Sequence, residues 1–325
     1  MYGLKAVSLF CGCGGTDLGL LGGFKFLNKK YPRNNIEIVF SNDIEESACK
    51  IYDENFENKC TVGDIRNIDS NDIPDHDILT GGFPCQSFSI VALNPPRLGH
   101  ISENGKLFFE MARILREKKP KVFVAENVKG ILSANERKAF PIILNEFEKA
   151  GYVVDYKILN AAWFGIPQKR ERVFIVGFRE DLDLRPTFPE RILTEEKFVS
   201  LKHVISDHNK VNPKYYFSGT ALRGLKKANP KMNKGRIQDM NRPCSTVGAH
   251  LAKVSLNSTD PVLKVGGRYR RFTPREVARI QSFPYSFKIV GTDSHQYKSF
   301  GNAVPPVMMW HVTREIIKNL STSAN

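Results

Sequence analysis

The stretch Gly81-Gly82-Phe83-Pro84-Cys85-Gln86-Ser87 places a thiol behind a proline, just after a strand candidate at 77–80. A cysteine in a loop at the carboxyl edge of a sheet is accessible, and positive or dipolar surroundings favour its nucleophilic thiolate. A lone cysteine is most often inert and buried, but the Gly-Gly and Pro context favours use. Glu126-Asn127-Val128 follows the most apolar run of the chain, 122–125. A carboxylate at a strand's end meets a ligand over the sheet; partial desolvation would raise its pKa and let it share or donate a proton. A helix cap or a surface ion pair is the plainer use. Gln168-Lys169-Arg170-Glu171-Arg172 precedes the run 173–176. Strand periodicity puts Gln168, Arg170 and Arg172 on one face. Two guanidinium groups there suit phosphate, carboxylate or a base carbonyl, and a solvated strand edge is the alternative.

A fourth site is Phe10-Cys11-Gly12-Cys13-Gly14-Gly15. Glycines between a strand and a helix let a ligand approach the backbone, and the helix N-terminus favours a negative group. Asp43, after the second strand, stands where an acid would bind ribose hydroxyls. The spacing G-x-G-x-x-G is not met, which disfavours a dinucleotide and leaves another adenosyl ligand open. An ordinary tight turn is the competing reading.

These residues need a scaffold, and the first half of the chain alternates strand-like and helix-like segments. Strands are expected at 4–10, 36–40, 77–80, 122–125, 153–159 and 173–176, with helices at 45–55, 107–116 and 139–150. This alternation predicts an α/β fold with a doubly wound, mostly parallel sheet. After about Gly177 the chain is richer in Pro, Asn, Lys and Ser and loses that rhythm. A catalytic domain of 1–180 plus 296–325 and a smaller irregular domain of 181–295 are expected. A short helix at 275–281 follows Pro274, a residue suited to a helix's first position, and 305–320 reads as a final amphipathic helix.

The 325 residues carry 48 Lys and Arg against 34 Asp and Glu, a formal net charge of +14. Such a charge bears on partners rather than fold and favours a polyanion. Eight basic residues and no acidic one lie between Lys210 and Arg236, with Tyr215, Tyr216 and Phe217 among them. Basic side chains neutralise phosphates and aromatics pack on sugars or bases. No apolar run is long enough for a transmembrane helix, and the start lacks a signal-peptide pattern. Six cysteines without Cys-x-x-Cys or zinc spacing argue for free thiols in a reducing cytoplasm and for no metal.

The four sites, in this order, resemble the DNA cytosine-5 methyltransferases. Two later stretches agree: Arg271-Phe272-Thr273-Pro274-Arg275-Glu276 with Arg279, Gln281, Phe283 and Pro284, and Gly301-Asn302-Ala303-Val304-Pro305-Pro306. The resemblance covers nearly the whole chain except about 185–240. It implies a Rossmann-like, S-adenosylmethionine-dependent methyltransferase domain and a smaller target-recognition domain. Phe10, Gly12, Gly14 and Pro84 would line the donor site, Asp43 would hold the ribose hydroxyls and Ile44 would pack on adenine. Asp64 and Ile65 would meet the adenine edge, and Asn302 and Val304 would close the pocket. Cys85 would attack carbon 6 of a flipped cytosine and Glu126 would stabilise its N3. Arg172 would grip O2, and Arg170 would support the loop and a nearby phosphate. Gln86, Ser87, Thr246, Lys234, Arg236 and Arg242 are the expected contacts to double-stranded DNA. The family's Asp-x-Arg-Gly stretch before a Leu-Phe helix start is replaced here by Ser102-Glu103-Asn104-Gly105.

One methyl transfer to one strand needs no symmetry, so a monomer is expected, and the resemblance implies the methylating partner of a restriction endonuclease. An RNA cytosine methyltransferase on the same fold is disfavoured by the long basic region, and a non-catalytic DNA-binding protein by intact Cys85, Glu126 and Arg172. A nicotinamide-dependent oxidoreductase leaves Pro84-Cys85-Gln86 without a purpose.

Overall fold

The computed structural model describes residues 3–84, 107–227, 236–253 and 260–322. Seven strands form the central sheet: β1 (Leu4–Leu9), β2 (Ile36–Asp43), β3 (Cys60–Val62), β4 (Ile78–Gly81), β5 (Val122–Val128), β6 (Tyr152–Asn160) and β7 (Glu171–Arg179). Their spatial order is β3-β2-β1-β4-β5-β7-β6. The first five run parallel, and β7 is antiparallel to both β5 and β6. The sheet is therefore mostly parallel, as expected. The chain reverses direction of travel across the sheet between β1 and β4, and open α/β sheets bind ligands outside the strand ends at such a point.

Alternation along the strands fills both faces. Ala6, Val122 and Val124 face one core, which also holds Leu20 of α1 (Gly15–Leu21), Ile51 of α2 (Glu46–Asp53) and Met308 of α8 (Pro306–Thr322). Val7, Phe123 and Ala125 face the other, against Met111 of α3 (Leu107–Lys118) and Ile143 of α4 (Ala139–Lys149). Strands buried on both faces read as continuous apolar runs, which is why 122–125 stood out in the sequence.

The segment after β7 is mostly short turns of 3-10 helix, plus α5 (Gly219–Lys227) and a hairpin of Leu263–Val265 with Arg268–Arg270. It is joined to the first core rather than separated from it: Leu201, Val247, Leu263 and Phe272 pack in the cluster that holds Ala6 and Leu20. Helix α6 (Pro274–Ile280) starts with a capping box in which the Thr273 side chain and Glu276 satisfy each other's backbone N–H groups, with proline in the first turn. α7 (Asp293–Asn302) leads into the final helix α8.

Candidate active site

A cavity of about 520 Å³ opens at the carboxyl ends of β1, β2, β4 and β5. Its wall includes Phe10, Gly12, Asp43, Ile44, Asp64 and Ile65 on one side, and Pro84, Glu126, Arg170 and Arg172 on the other. Asn302 and Val304 line it from the returning C-terminal segment. One space thus brings together residues 294 positions apart in sequence.

The turn after β1 is held in an unusual shape. Phe10, Gly12 and Gly14 have φ of 54°, 55° and 87°. A left-handed conformation is ordinary for glycine and uncommon for phenylalanine. Asp43 braces this turn: Oδ2 accepts from the Gly12 N–H at 2.8 Å and Oδ1 from the Glu45 N–H at 2.8 Å. Burial raises the Asp43 pKa, and those two backbone N–H groups oppose the rise. Gly14 departs from expectation. It does not line the cavity; a Cβ there would sit 2.2 Å from the Phe56 ring, on the side of Tyr52. Gly15 lines the cavity instead, and a Cβ on it would fall 2.3 Å from the Val304 carbonyl oxygen. The glycines therefore permit close packing of helix α1 against the C-terminal segment as well as ligand approach.

Ile44 is 68% exposed, an apolar side chain held at the cavity's mouth by the end of β2. Asp64 caps a short 3-10 turn by accepting from the Arg66 N–H and pairs with the Arg66 guanidinium. That pairing holds the Asp64 carboxyl below the usual range.

On the other side, Asn127 holds the backbone at Phe83, after β4. Its Nδ2 donates to the Phe83 carbonyl at 2.9 Å, and its Oδ1 accepts from the Val128 N–H at 2.9 Å. The sequence motif held this residue but gave it no role. Glu126 Oε1 lies 3.0 Å from Arg172 Nε as an ion pair, and among the described residues no well-formed hydrogen bond satisfies it. Desolvation raises the Glu126 pKa, and the charges of Arg172 and Arg170 hold it back. The Arg172 Nη1 donates to the Glu171 carbonyl at 2.7 Å, which orients the guanidinium toward Glu126.

Arg170 requires a correction. It is 1% exposed, and its Nη atoms donate to the carbonyls of Val247 at 3.0 Å, Gly301 at 3.1 Å and Ala303 at 3.1 Å. Three of its N–H groups are committed to carbonyls and its buried Nε has no partner among the described residues, so burial, rather than a full set of bonds, sets it back from a phosphate on the surface. Arg170 ties three chain segments together at the cavity floor. Arg236 is corrected likewise: it is 3% exposed and its Nε donates to the Asp260 carbonyl at 2.7 Å, inside the smaller region rather than on a DNA-facing surface. Arg242 is exposed and pairs loosely with Asp239 at 3.7 Å. Thr246 is exposed and its hydroxyl donates to the Lys169 carbonyl at 2.9 Å. In the aromatic group of the basic stretch, Tyr215 is buried, while Tyr216 lies under the Arg268 guanidinium at 4.0 Å. Cys85, Gln86, Ser87, the stretch 102–105 and Lys234 lie outside the described residues.

Among the described residues, no group of His, Cys, Asp or Glu could hold a metal ion, and no helix is long and apolar enough to cross a membrane.

The fold is that of known methyltransferases. A methyltransferase from Entamoeba histolytica, EhMeth, superimposes with a TM-score of 0.76 at 20% identity, covering 98% of this chain and 99% of that one. The S. pombe Dnmt2 methyltransferase gives 0.73 at 19% identity, with 97% and 98% covered. At the level of sequence, the C-5 cytosine-specific DNA methylase family matches residues 4–318, and the chain belongs to that family. It is 36% identical to the type II methyltransferase M.SsoII of Shigella sonnei over 98% of this chain and 81% of the relative. It is 37% identical to M.NgoBI of Neisseria gonorrhoeae, with 96% and 92% covered. The enzyme is thus a DNA cytosine-5-methyltransferase, as the motifs implied.

Proposed function

We propose that this enzyme moves a methyl group from S-adenosylmethionine to carbon 5 of a cytosine flipped out of a specific duplex sequence, through a covalent bond to Cys85. The carrying observation is the single cavity that joins the Phe10–Gly12 turn, Asp43 and Asp64 to Glu126, Arg172 and Pro84. An adenosyl group fits the first half. Asp43 and Asp64 offer carboxylate oxygens, Ile44 and Ile65 offer apolar surface, and the turn presents backbone with no side chain at Gly12. When bound there, S-adenosylmethionine supplies an electrophilic methyl group.

The chain's own residues account for the rest. Carbon 5 of cytosine is a poor nucleophile until a thiolate adds at carbon 6 and saturates the 5,6 bond. Pro84, at the cavity wall, directly precedes the Cys85 thiol in the chain. The addition drives electron density toward N3. Glu126, with its raised pKa and an unsatisfied Oε1, is suited to give N3 a proton or a hydrogen bond. Arg172 stays charged beside it and is suited to the base O2. After carbon 5 is methylated, a base removes its proton and the Cys85 sulfur leaves, which restores the ring. Carbon 6 is out of reach inside a stacked duplex, so the nucleotide must flip out.

The smaller region at 181–295 would read the DNA, and Thr246 and Arg242 remain the exposed candidates there. The methylated site would be protected from a cognate restriction nuclease, as the names of its type II relatives suggest. The test is incubation with tritiated donor and either duplex DNA or RNA, followed by bisulfite sequencing of the DNA. Label in DNA that is lost in Cys85→Ala supports the reading. Label confined to RNA, or label that survives the substitution, overturns it.

A further inference from the structure

Two buried glutamines that the reaction itself does not use connect the two halves of the site. Gln168 and Gln281 are both 0% exposed, and Gln168 Nε2 donates to Gln281 Oε1 at 2.7 Å. The remaining groups of each reach a different segment. Gln168 Oε1 accepts from the Val247 N–H at 2.8 Å. Gln281 Nε2 donates to the Phe300 carbonyl at 2.7 Å and to the Ala303 carbonyl at 3.3 Å. Arg170 spans the same gap from the Val247 carbonyl to those of Gly301 and Ala303. The two backbones also touch: a Cβ on Gly301 would sit 2.3 Å from the Gly248 carbonyl group.

The segments so joined have separate duties. Asn302 and Val304 line the cavity half assigned to the methyl donor. Thr246, next to Val247, is an exposed candidate contact to DNA. A displacement of either segment strains hydrogen bonds that are buried. From this geometry we infer that Gln168 and Gln281 are positioning residues that make donor and DNA binding mutually dependent, each tightening the other. The inference rests on the donor and DNA reading above. Coupling of this kind is reciprocal, and amounts to about 5- to 150-fold in affinity where it has been found.

The test titrates S-adenosylhomocysteine calorimetrically, alone and with a short duplex carrying the site mapped by bisulfite sequencing. In the unsubstituted enzyme the duplex tightens its Kd by about fivefold or more. In Gln281→Leu and in Gln168→Leu the ratio of the two Kd values falls to within about twofold of one, and the double variant is no worse than either single variant, since they share one network. A merely structural role would weaken both Kd values and leave their ratio intact, which overturns the inference. So does a ratio of one in the unsubstituted enzyme. Hydrogen exchange on that enzyme serves if the variants fail to fold. S-adenosylhomocysteine alone should slow exchange of the Val247 amide, and duplex alone should slow the amides of 301–304. Protection confined to the ligand's own segment refutes the coupling. An enzyme that binds no S-adenosylhomocysteine with or without duplex removes the donor reading, and the coupling with it.

Discussion

Two Glu–Arg pairs among the described residues, one fully and one partly buried, differ in how completely their carboxylates are satisfied. Glu276 and Arg270, where the smaller region meets α6, are both 0% exposed. Glu276 Oε1 accepts from Arg270 Nη2 at 2.7 Å and from the Ser206 N–H at 2.9 Å; Oε2 accepts from Arg270 Nη1 at 2.7 Å and from the Thr273 N–H at 2.8 Å. Every strong acceptor site of that carboxylate is filled. Glu126 and Arg172 approach to 3.0 Å without a well-formed hydrogen bond, and Glu126 Oε1 keeps its capacity. A saturated carboxylate fixes architecture. An unsaturated one, on the wall of a cavity, retains the capacity to bind or protonate something else, at a cost in stability that the surrounding sheet tolerates.

The contrast breaks if the wrong pair proves fragile. Glu276→Gln leaves Arg270 charged and buried without its counterion, and should lower unfolding stability by about 3–5 kcal/mol, read by urea denaturation. Glu126→Gln should leave the urea midpoint nearly unchanged and lower kcat by about 10² or more. The reverse pattern, with Glu126→Gln unfolding the enzyme and Glu276→Gln merely slowing it, would show that satisfaction of hydrogen bonds does not separate the two roles.

The pH dependence sharpens the same point. Neutral Glu126 is depleted as pH rises through its upward-shifted pKa. The rate of methyl transfer should therefore fall on the alkaline side, and Glu126→Gln should lack that fall. An unchanged alkaline fall in the variant would assign it to another group.

A smaller effect is expected at Gly15. The Cβ of Gly15→Ala meets the Val304 carbonyl, and α1 or the C-terminal segment must give way. About 1–3 kcal/mol of stability should be lost, together with affinity for S-adenosylhomocysteine, measured by thermal shift and calorimetry. Unchanged affinity would separate this packing from the donor pocket.

A separate, purely pH-dependent effect belongs to Asp17, which is 0% exposed and accepts from the Ser8 hydroxyl at 3.0 Å and the Tyr52 hydroxyl at 3.3 Å. Burial pushes its pKa up to about 7 from 3.8. The folded state therefore holds a proton that the unfolded chain releases. Stability from this group is complete below the unfolded value and is lost as pH rises through the folded one. Asp17→Asn should flatten the decline in stability between about pH 4 and 7. Urea midpoints across that range would expose an unaltered slope.

Much of this was legible in the sequence because it is local. The runs at 4–10, 122–125 and 173–176 are apolar for a physical reason, burial on both faces, and each is a strand of the sheet. Glu126 follows one of them and lines the cavity. The antiparallel setting of β7 was not readable, since apolar runs carry no direction. α7 was missed because Asp293–Asn302 has no sustained apolar stripe. The errors at Arg170 and Arg236 share a cause. Whether a guanidinium faces solvent depends on carbonyls that arrive from 77, 131 and 133 residues away for Arg170, and from 24 away for Arg236. Charge alone reads as surface. Gln168 and Gln281 both lay within recognised motifs, yet their contact across 113 residues gave no local signal.

The central claim is that a sulfur atom at position 85 bonds to cytosine within the cavity that holds the methyl donor. A duplex bearing 5-fluorocytosine at the methylated site lacks the proton whose removal frees the enzyme. Incubated with S-adenosylmethionine, it should yield an adduct that survives denaturing electrophoresis and maps by mass spectrometry to Cys85. Methyl donor consumed on the ordinary duplex, with no adduct on the fluorinated one, would contradict the account.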